Sequence, residues 1–280
     1  MSNVGGNMEL TTLLGVIVGF LAVIGAMIFK HISFTVFLNP AAFFVIFVGT
    51  AATILNSFPG ENLKNLGTLF KILFTKQKGL SEKEVIELMA DLSETSKREG
   101  LLALEKKVEE IPDPFIKKGV RMLIDGTEED IIVEILENEI SAMEKRHETN
   151  ASIFSSAGMY APTLGVLGAV FGLIAAMSHI DDTEAMAEAI AAAFIATVLG
   201  IFTGYVWWNP FAKKLKVKSA KEVMIRELVI IGLVSIQNGD APFMLKEKML
   251  ATLSAKQQQK IIGGADTESK KESKKESGKE

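Results

Sequence analysis

The stretch "AGMYAPTLGVLGAVFG", residues 157–172, decides how this chain is read. It carries no charge, four glycines at 158, 165, 168 and 172, and a proline at 162 where a helix would lose a hydrogen bond. Working outward from it, the whole segment 151–209 contains no Lys or Arg, and neither does 1–56 apart from Lys30. The remaining basic residues fall in two blocks, 57–150 and 210–280. Hydrophobic residues make up 48% of the 280, and they are segregated rather than spread. That segregation marks an integral membrane protein. The net charge of −4 averages two unlike environments and decides little. Cysteine is absent, so disulfides and thiolate chemistry are excluded.

About 20 apolar residues at about 1.5 Å each cross a hydrocarbon layer about 30 Å thick. Four stretches qualify: Leu10–Phe29, Pro40–Ser57, Ile153–Ser178 and Met186–Trp208. The first is read as a retained span, because no basic residue precedes it and no small-residue cleavage site follows. Asn39 is a cap for the second, and Pro40 suits its first turn. The links 30–39 and 179–185 are short, which makes two helical hairpins. Both basic blocks fall on one side of a four-span chain, so both termini and the large loop are expected in the cytoplasm. Trp207 and Trp208 then mark the inner interface.

The expected fold is therefore all-α, with four transmembrane helices and a helical cytoplasmic domain. Its parts are a hairpin at 1–57, a cytoplasmic domain at 58–150, a second hairpin at 151–209, a helical extension at 210–253 and a disordered charged tail at 254–280. Within the loop, Val85, Leu88, Met89 and Leu92 recur at helical spacing. Gly126 can end one helix, and Thr127 with Asp130 forms a capping-box pattern for the next. That next helix is expected to bury Ile131, Ile135, Leu136, Ile140 and Met143, and to run on into the third span.

Small residues line the second hairpin. Ala192, Ala196, Gly200 and Gly204 repeat every four residues in span four, with Ala185, Ala189, Ala193 and Thr197 beside them. Gly165, Gly168 and Gly172 do the same in span three. Such rows let backbones approach closely in lipid. They serve packing within the chain, or they surround a helix from a second copy or a partner; the sequence favours the partner reading, while Phe43, Phe44 and Phe47 in span two suit lipid. Pro162 frees the carbonyl of Gly158. One reading is an ordinary kink. The other is a small wet site lined by that carbonyl with Thr163 and Thr197, although Thr197 can equally bond its own helix.

Acidic groups inside membrane spans mark ion paths, and these spans hold none away from their edges, where Glu9, Asp181, Asp182, Glu184 and Glu188 lie. An ion path here needs a carboxylate from a partner. His179 reads as a solvated interfacial side chain, with proton collection as the alternative; His31 and His147 are too isolated for a metal site. No phosphate loop, catalytic triad or acid/base pair is present, so neither an enzyme nor a cofactor is expected.

The motifs "NPAAFFVIFVGT", "SKREGLLALE", "YAPTLGVLGAVFGLIAAMSHID" and "AAAFIATVLGIFTGYVWWNPFAKKL" occur in that order across residues 8–250. In them the chain resembles the MotA family, ion-channel subunits of the bacterial flagellar stator. The resemblance implies five copies around two helices of a MotB-like partner, a single-span peptidoglycan-binding protein that supplies the membrane Asp. It implies rotation driven by protonation of that Asp, with the cytoplasmic domain pushing the rotor protein FliG. Residence in the bacterial inner membrane and contact with lipid follow; nucleic acid is not a partner. The family's essential prolines match Pro162 and Pro210, its basic rotor-facing residue matches Lys97 or Arg98, and its acidic one matches Glu105. Sodium-driven relatives carry a Thr seven residues after the span-three proline, where this chain has Ala169, so the resemblance implies proton coupling. The alternatives are a proton-driven energiser of the ExbB/TolQ type, typically with three spans, and a non-conducting membrane scaffold.

Overall fold

The computed structural model describes residues 9–32, 39–76 and 79–262. Most of the link 30–39 and the tail beyond 262 lie outside the described residues. Among those described, the chain is helical throughout its regular structure.

Helix α1 spans Leu10–Phe29 and ends at His31, whose φ of 55° stops the helix. Helix α2 covers Pro40–Ser57. The Asn39 side chain accepts from the Ala41 and Ala42 amides at 3.0 and 3.1 Å, satisfying donors that the first turn leaves unpaired. One turn of π-helix, Phe44–Val48, interrupts it. Ala42, Ile46, Thr50 and Ile54 face inward at four-residue spacing, while Phe43 and Phe44 point outward. Two short helices follow, α3 (Gly60–Leu63) and α4 (Leu66–Phe74). The strongest cap of the chain opens α5 (Glu82–Glu99), where Ser81 and Glu84 bond each other's backbone amides in a capping box. Gly100, at φ 86°, reverses the chain into α6 (Leu104–Glu110). Asp113 caps α7 (Pro114–Ile124) with Pro114 in its first turn.

Helix α8 runs unbroken from Glu129 to Ser178, 50 residues or about 75 Å. The loop helix thus continues into the third span, as its pattern predicts. Gly126 ends α7 with φ 70°, but the Thr127 capping box does not form at the expected place. The carbonyl that accepts the first turn's amides belongs to Glu128, and the Thr127 carbonyl accepts instead from Gln237 Nε2 at 2.8 Å. The buried stripe of α8 is Ile132, Leu136, Ile140 and Met143. Ile131 and Ile135, expected inside, stand exposed. Three consecutive β-branched residues at 131–133 leave the register ambiguous by one position, and packing selects Ile132. Helix α9 runs from Thr183 to Gln237, capped by Asp182, with a π-helical turn at Thr203–Trp208. Helix α10 is Pro242–Ala251.

The chain divides into two compact units that do not follow the five expected segments. One unit joins 1–78 with 144–219; the other joins 79–143 with 220–280. Residues 58–78 and 210–219 therefore belong with the spans. The reason is the core they share: Leu69 and Leu73 of α4 are buried with Ile54, Phe154, Ala157, Phe211 and Leu215. In the second unit α5, α6, α7, the start of α8, the end of α9 and α10 enclose an aliphatic core that includes Met89, Leu92, Leu104, Leu136 and Leu233. Residues 254–262, which composition assigns to a disordered tail, are ordered. Residues 255–262 are helical, Ser254 bonds Gln257, Gln258 Nε2 donates to the Leu250 and Leu253 carbonyls at 2.9 Å, and Ile261 packs on the core.

Candidate functional site: a glycine-lined hairpin and an exposed charged turn

The hairpin of α8 and α9 is assembled from the residues that lack side chains. A Cβ at Gly200 would stand 2.6 Å from the Ala161 carbonyl oxygen and 2.9 Å from Gly165 Cα. One at Gly165 would stand 2.9 Å from the Ala196 carbonyl oxygen. One at Gly172 would meet Ala193 Cβ at 2.7 Å, and one at Gly168 would meet Ala196 Cβ at 2.9 Å. No such side chain fits, so the two backbones touch. The small rows expected to surround a partner helix are therefore occupied within the chain: Gly165, Gly168, Gly172, Ala196, Gly200 and Gly204 pack on one another or on the opposite helix of the hairpin. Ala192 instead borders an apolar cavity of about 230 Å³ with Ala42, Gly168, Gly172, Ala189 and Ala196.

Pro162 lies inside α8 and withholds the donor that the Gly158 carbonyl would accept. That carbonyl is aimed at Gly204, where an added Cβ would lie 2.8 Å from the oxygen and 2.8 Å from the proline ring. The freed acceptor thus faces a residue without a side chain across the hairpin. Thr163 is exposed, and its hydroxyl donates to the Met159 carbonyl at 3.4 Å. Thr197 is half-buried and donates to Ala193 in the same way at 3.4 Å. Both hydroxyls bond their own helices rather than each other. Ala169 offers no oxygen. Pro210 is exposed just past the π-helical turn of α9.

Sequence reasoning missed Asn209 and Thr203 of this site, and the packing role of Gly158. Gly158 is covered by the Asn209 amide, whose Oδ1 would be 2.4 Å from a Cβ on Gly158. Gly158, Gly165 and Gly172 are spaced by sevens, which is the signal that could have found it. Thr203, buried in the π-helical turn, donates to the Leu199 and Gly200 carbonyls at 2.8 and 3.2 Å.

At the end of this unit where α1 begins, Glu9 meets two ammonium groups, Lys218 at 2.6 Å and Lys214 at 3.1 Å. Burial pushes the Glu9 carboxyl up, but the Lys218 and Lys214 ammonium groups more than reverse it, leaving it below its ordinary value of 4.5. Lys218 also donates to the Ile72 and Thr75 carbonyls at 2.5 and 2.7 Å, while the Thr12 hydroxyl donates to Leu73 at 3.0 Å.

The second unit presents the charged turn. Lys97 and Arg98 end α5, Gly100 turns the chain, and Glu105 begins α6. All three charged residues are exposed. Arg98 reaches back to Glu94 at 2.6 Å on its own helix. Lys97 adds its charge to the Lys248 ammonium, whose hydrogen bond holds the Asp240 carboxyl below its usual range. Leu102 stands 70% exposed at the tip of the turn, flanked by these charges.

Comparison with known proteins fits this architecture. Residues 107–228 match the MotA/TolQ/ExbB proton channel family. The chain is 46% identical over 267 residues to Motility protein A of Bacillus subtilis, covering 95% of this chain and 99% of that protein. Its fold is similar to a chain of the flagellar MotAB stator complex from Bacillus subtilis, with a TM-score of 0.86, 47% identity and coverage of 90% and 99%. It is also similar to C. jejuni MotAB, with a TM-score of 0.84, 30% identity and coverage of 89% and 97%. A four-span, two-unit helical chain with a hairpin packed through glycine, alike to these proteins over nearly its full length, belongs to the MotA/TolQ/ExbB proton channel family.

Proposed function

We propose that this chain is the ion-channel subunit of a flagellar motor stator in the bacterial inner membrane, with both termini cytoplasmic. One observation carries the reading: the likeness to a chain of a MotAB stator complex extends over 90% of the chain at 47% identity. The physical complement is the missing acid. The hairpin closes on itself through glycine and alanine, and away from its connecting turn it contributes hydroxyls and carbonyls but no carboxylate. A MotB-like single-span partner, anchored to peptidoglycan, supplies the carboxylate that takes up and releases the ion. Five copies of this chain around two partner helices form the channel. The exposed stripe of Thr163, Val166 and Val170 on α8 faces the partner, since the glycine rows are already engaged.

The coupling ion is the proton. A sodium ion shedding its water needs several oxygens, and Ala169 supplies none at the position that distinguishes the two types. Lys97, Arg98 and Glu105 contact the rotor protein FliG, and Pro162 and Pro210 transmit the carboxylate's change of charge into movement of the two helices.

The test is proton conductance in cells co-expressing the chain with a MotB-like partner from which the plug has been removed. Conductance is expected with the intact partner and absent with the partner's membrane Asp changed to Asn. Conductance by the purified chain without any partner overturns the proposal. Swimming that stops on sodium removal at constant proton-motive force overturns the proton assignment.

A further inference from the structure

Of the five lysines at positions 213–221, four divide into two sets. Lys214 and Lys218 turn inward, only 21% and 13% exposed, and are consumed by Glu9 and the carbonyls at the end of α4. Lys213 and Lys216 turn outward and, among the described residues, have no acidic partner. The fifth, Lys221, lies in the other unit and pairs with Glu82. Beside the outward pair, Lys64, Lys71 and Lys76 are exposed on and around α4, likewise without an ion pair among the described residues. The two groups are neighbours, because Leu69 and Leu73 of α4 share one core with Phe211 and Leu215 of α9.

Depth along α9 places these lysines. Trp207 and Trp208 end span four, where aromatic side chains settle at the edge of the hydrocarbon layer. Lys213 is about 7.5 Å and Lys216 about 12 Å further along the helix, against a headgroup layer about 5–8 Å thick. A lysine stem covers the difference by reaching back toward the interface. Apolar side chains accompany the charges, with Phe70, Ile72 and Val217 exposed among them. On the same unit the neighbouring α8 segment carries Lys145 and Arg146 against Glu144 and Glu148, which balance one another. At this end of the unit the positive excess therefore lies around α4 and the start of α9, where Glu61 is the one exposed acid on the neighbouring α3.

We propose that Lys64, Lys71, Lys76, Lys213 and Lys216 form a collar that binds the headgroups of anionic phospholipids in the leaflet at this end of the spans. Unpaired lysines within a Debye length of a membrane surface attract its anionic lipids. Here two lysines are held inward by Glu9, which fixes the outward direction of those next to them. The inference rests on the membrane reading of the four spans and not on conduction, so a chain that conducts nothing still reports its lipid preference.

The chain's two tryptophans, Trp207 and Trp208, are built-in probes at the collar. Full-length chain is reconstituted in phosphatidylcholine bilayers containing a minor fraction of brominated phosphatidylglycerol or of brominated phosphatidylcholine, and tryptophan quenching is compared. Phosphatidylglycerol is expected to associate about fivefold more strongly, the factor given by one lysine near a membrane surface. The preference should fall toward unity when Lys64, Lys71, Lys76, Lys213 and Lys216 are all changed to Gln. It should survive in the matching Lys→Arg variant and in Lys106→Gln, an exposed lysine of the other unit. Equal quenching by the two lipids in the unaltered chain overturns the proposal and leaves an acidic protein segment as the occupant of these lysines. A preference that persists in the Gln variant, or that soluble glycerol phosphate abolishes, overturns it as well.

Discussion

The α8–α9 hairpin and the aliphatic core of the second unit solve the same problem in opposite ways. In the core, Met89, Leu92, Leu104, Leu136 and Leu233 are each completely buried, and the helices are held apart by the side chains that join them. In the hairpin the side chains are removed and the backbones meet at Gly165, Gly200 and Gly204. Water makes the first arrangement favourable, since each buried aliphatic side chain is stabilising by about 1.5–3 kcal/mol. Lipid offers no such gain, because a leucine facing lipid is already in hydrocarbon. Close van der Waals contact remains, and glycine allows the most of it. The units differ because their solvents differ.

That contrast breaks first at Gly200. Gly200→Val places a branched side chain against the Ala161 carbonyl, a backbone atom with no room to move, and should abolish both accumulation in the membrane and motility. Gly67→Val, where an added Cβ meets nothing within 4 Å, should leave both unchanged. Immunoblots of membranes and soft-agar swimming separate the two outcomes. In the core the same logic runs in reverse, and shrinking a side chain is what harms. Leu136→Ala should cost about 2–5 kcal/mol, read as a lowered thermal midpoint of the purified chain. Ile131→Ala, on the exposed register, should stay within about 0.5 kcal/mol. Equal effects would show that the register of α8 is wrong.

A smaller effect is expected at the Glu9 clasp, which ties α1 to α9 in the membrane unit. The Glu9 carboxyl titrates below its unfolded value of 4.5, so its contribution to stability is fully present above that pH. It is lost as pH falls through the depressed folded value. Glu9→Gln should lower the thermal midpoint at neutral pH by an amount matching up to about 1 kcal/mol. The gap between the two proteins should close on acidification below pH 4.5. A gap independent of pH refutes the ionic account. The smallest effect on stability belongs to the charged turn: Glu105→Lys should change stability by less than about 0.5 kcal/mol, yet impair swimming. Normal swimming by that variant removes Glu105 from the rotor contact.

Much of this was legible in the sequence. The bounds of α1 and α2 coincide with the expected spans, and Asn39 caps α2 as its residue type predicts. Continuity of α8 into the third span followed from a helical pattern with no breaker before Pro162. The registers were harder. At 131–133 three adjacent apolar residues fit two faces equally, and only contact with the rest of the unit chose Ile132. Residues 255–262 look like the beginning of a charged tail, yet Ile261 finds a core built by distant segments. Gly158 and Asn209 are 51 positions apart and meet only because the hairpin closes.

By itself the sequence determined that four stretches of this chain can cross a membrane, where the first two begin, and that their acids lie only at the edges. Those properties are local: the thickness of the bilayer, the cost of a charge in it and the donors of a helix's first turn act on consecutive residues. Tertiary structure alone decided that the glycine rows face each other, that α4 belongs with the spans and that Lys214 and Lys218 turn inward while Lys213 and Lys216 do not. A glycine has no side chain to announce its neighbour and a lysine stem reaches in many directions. Both are settled only by the backbone or carboxylate that packing brings within contact distance.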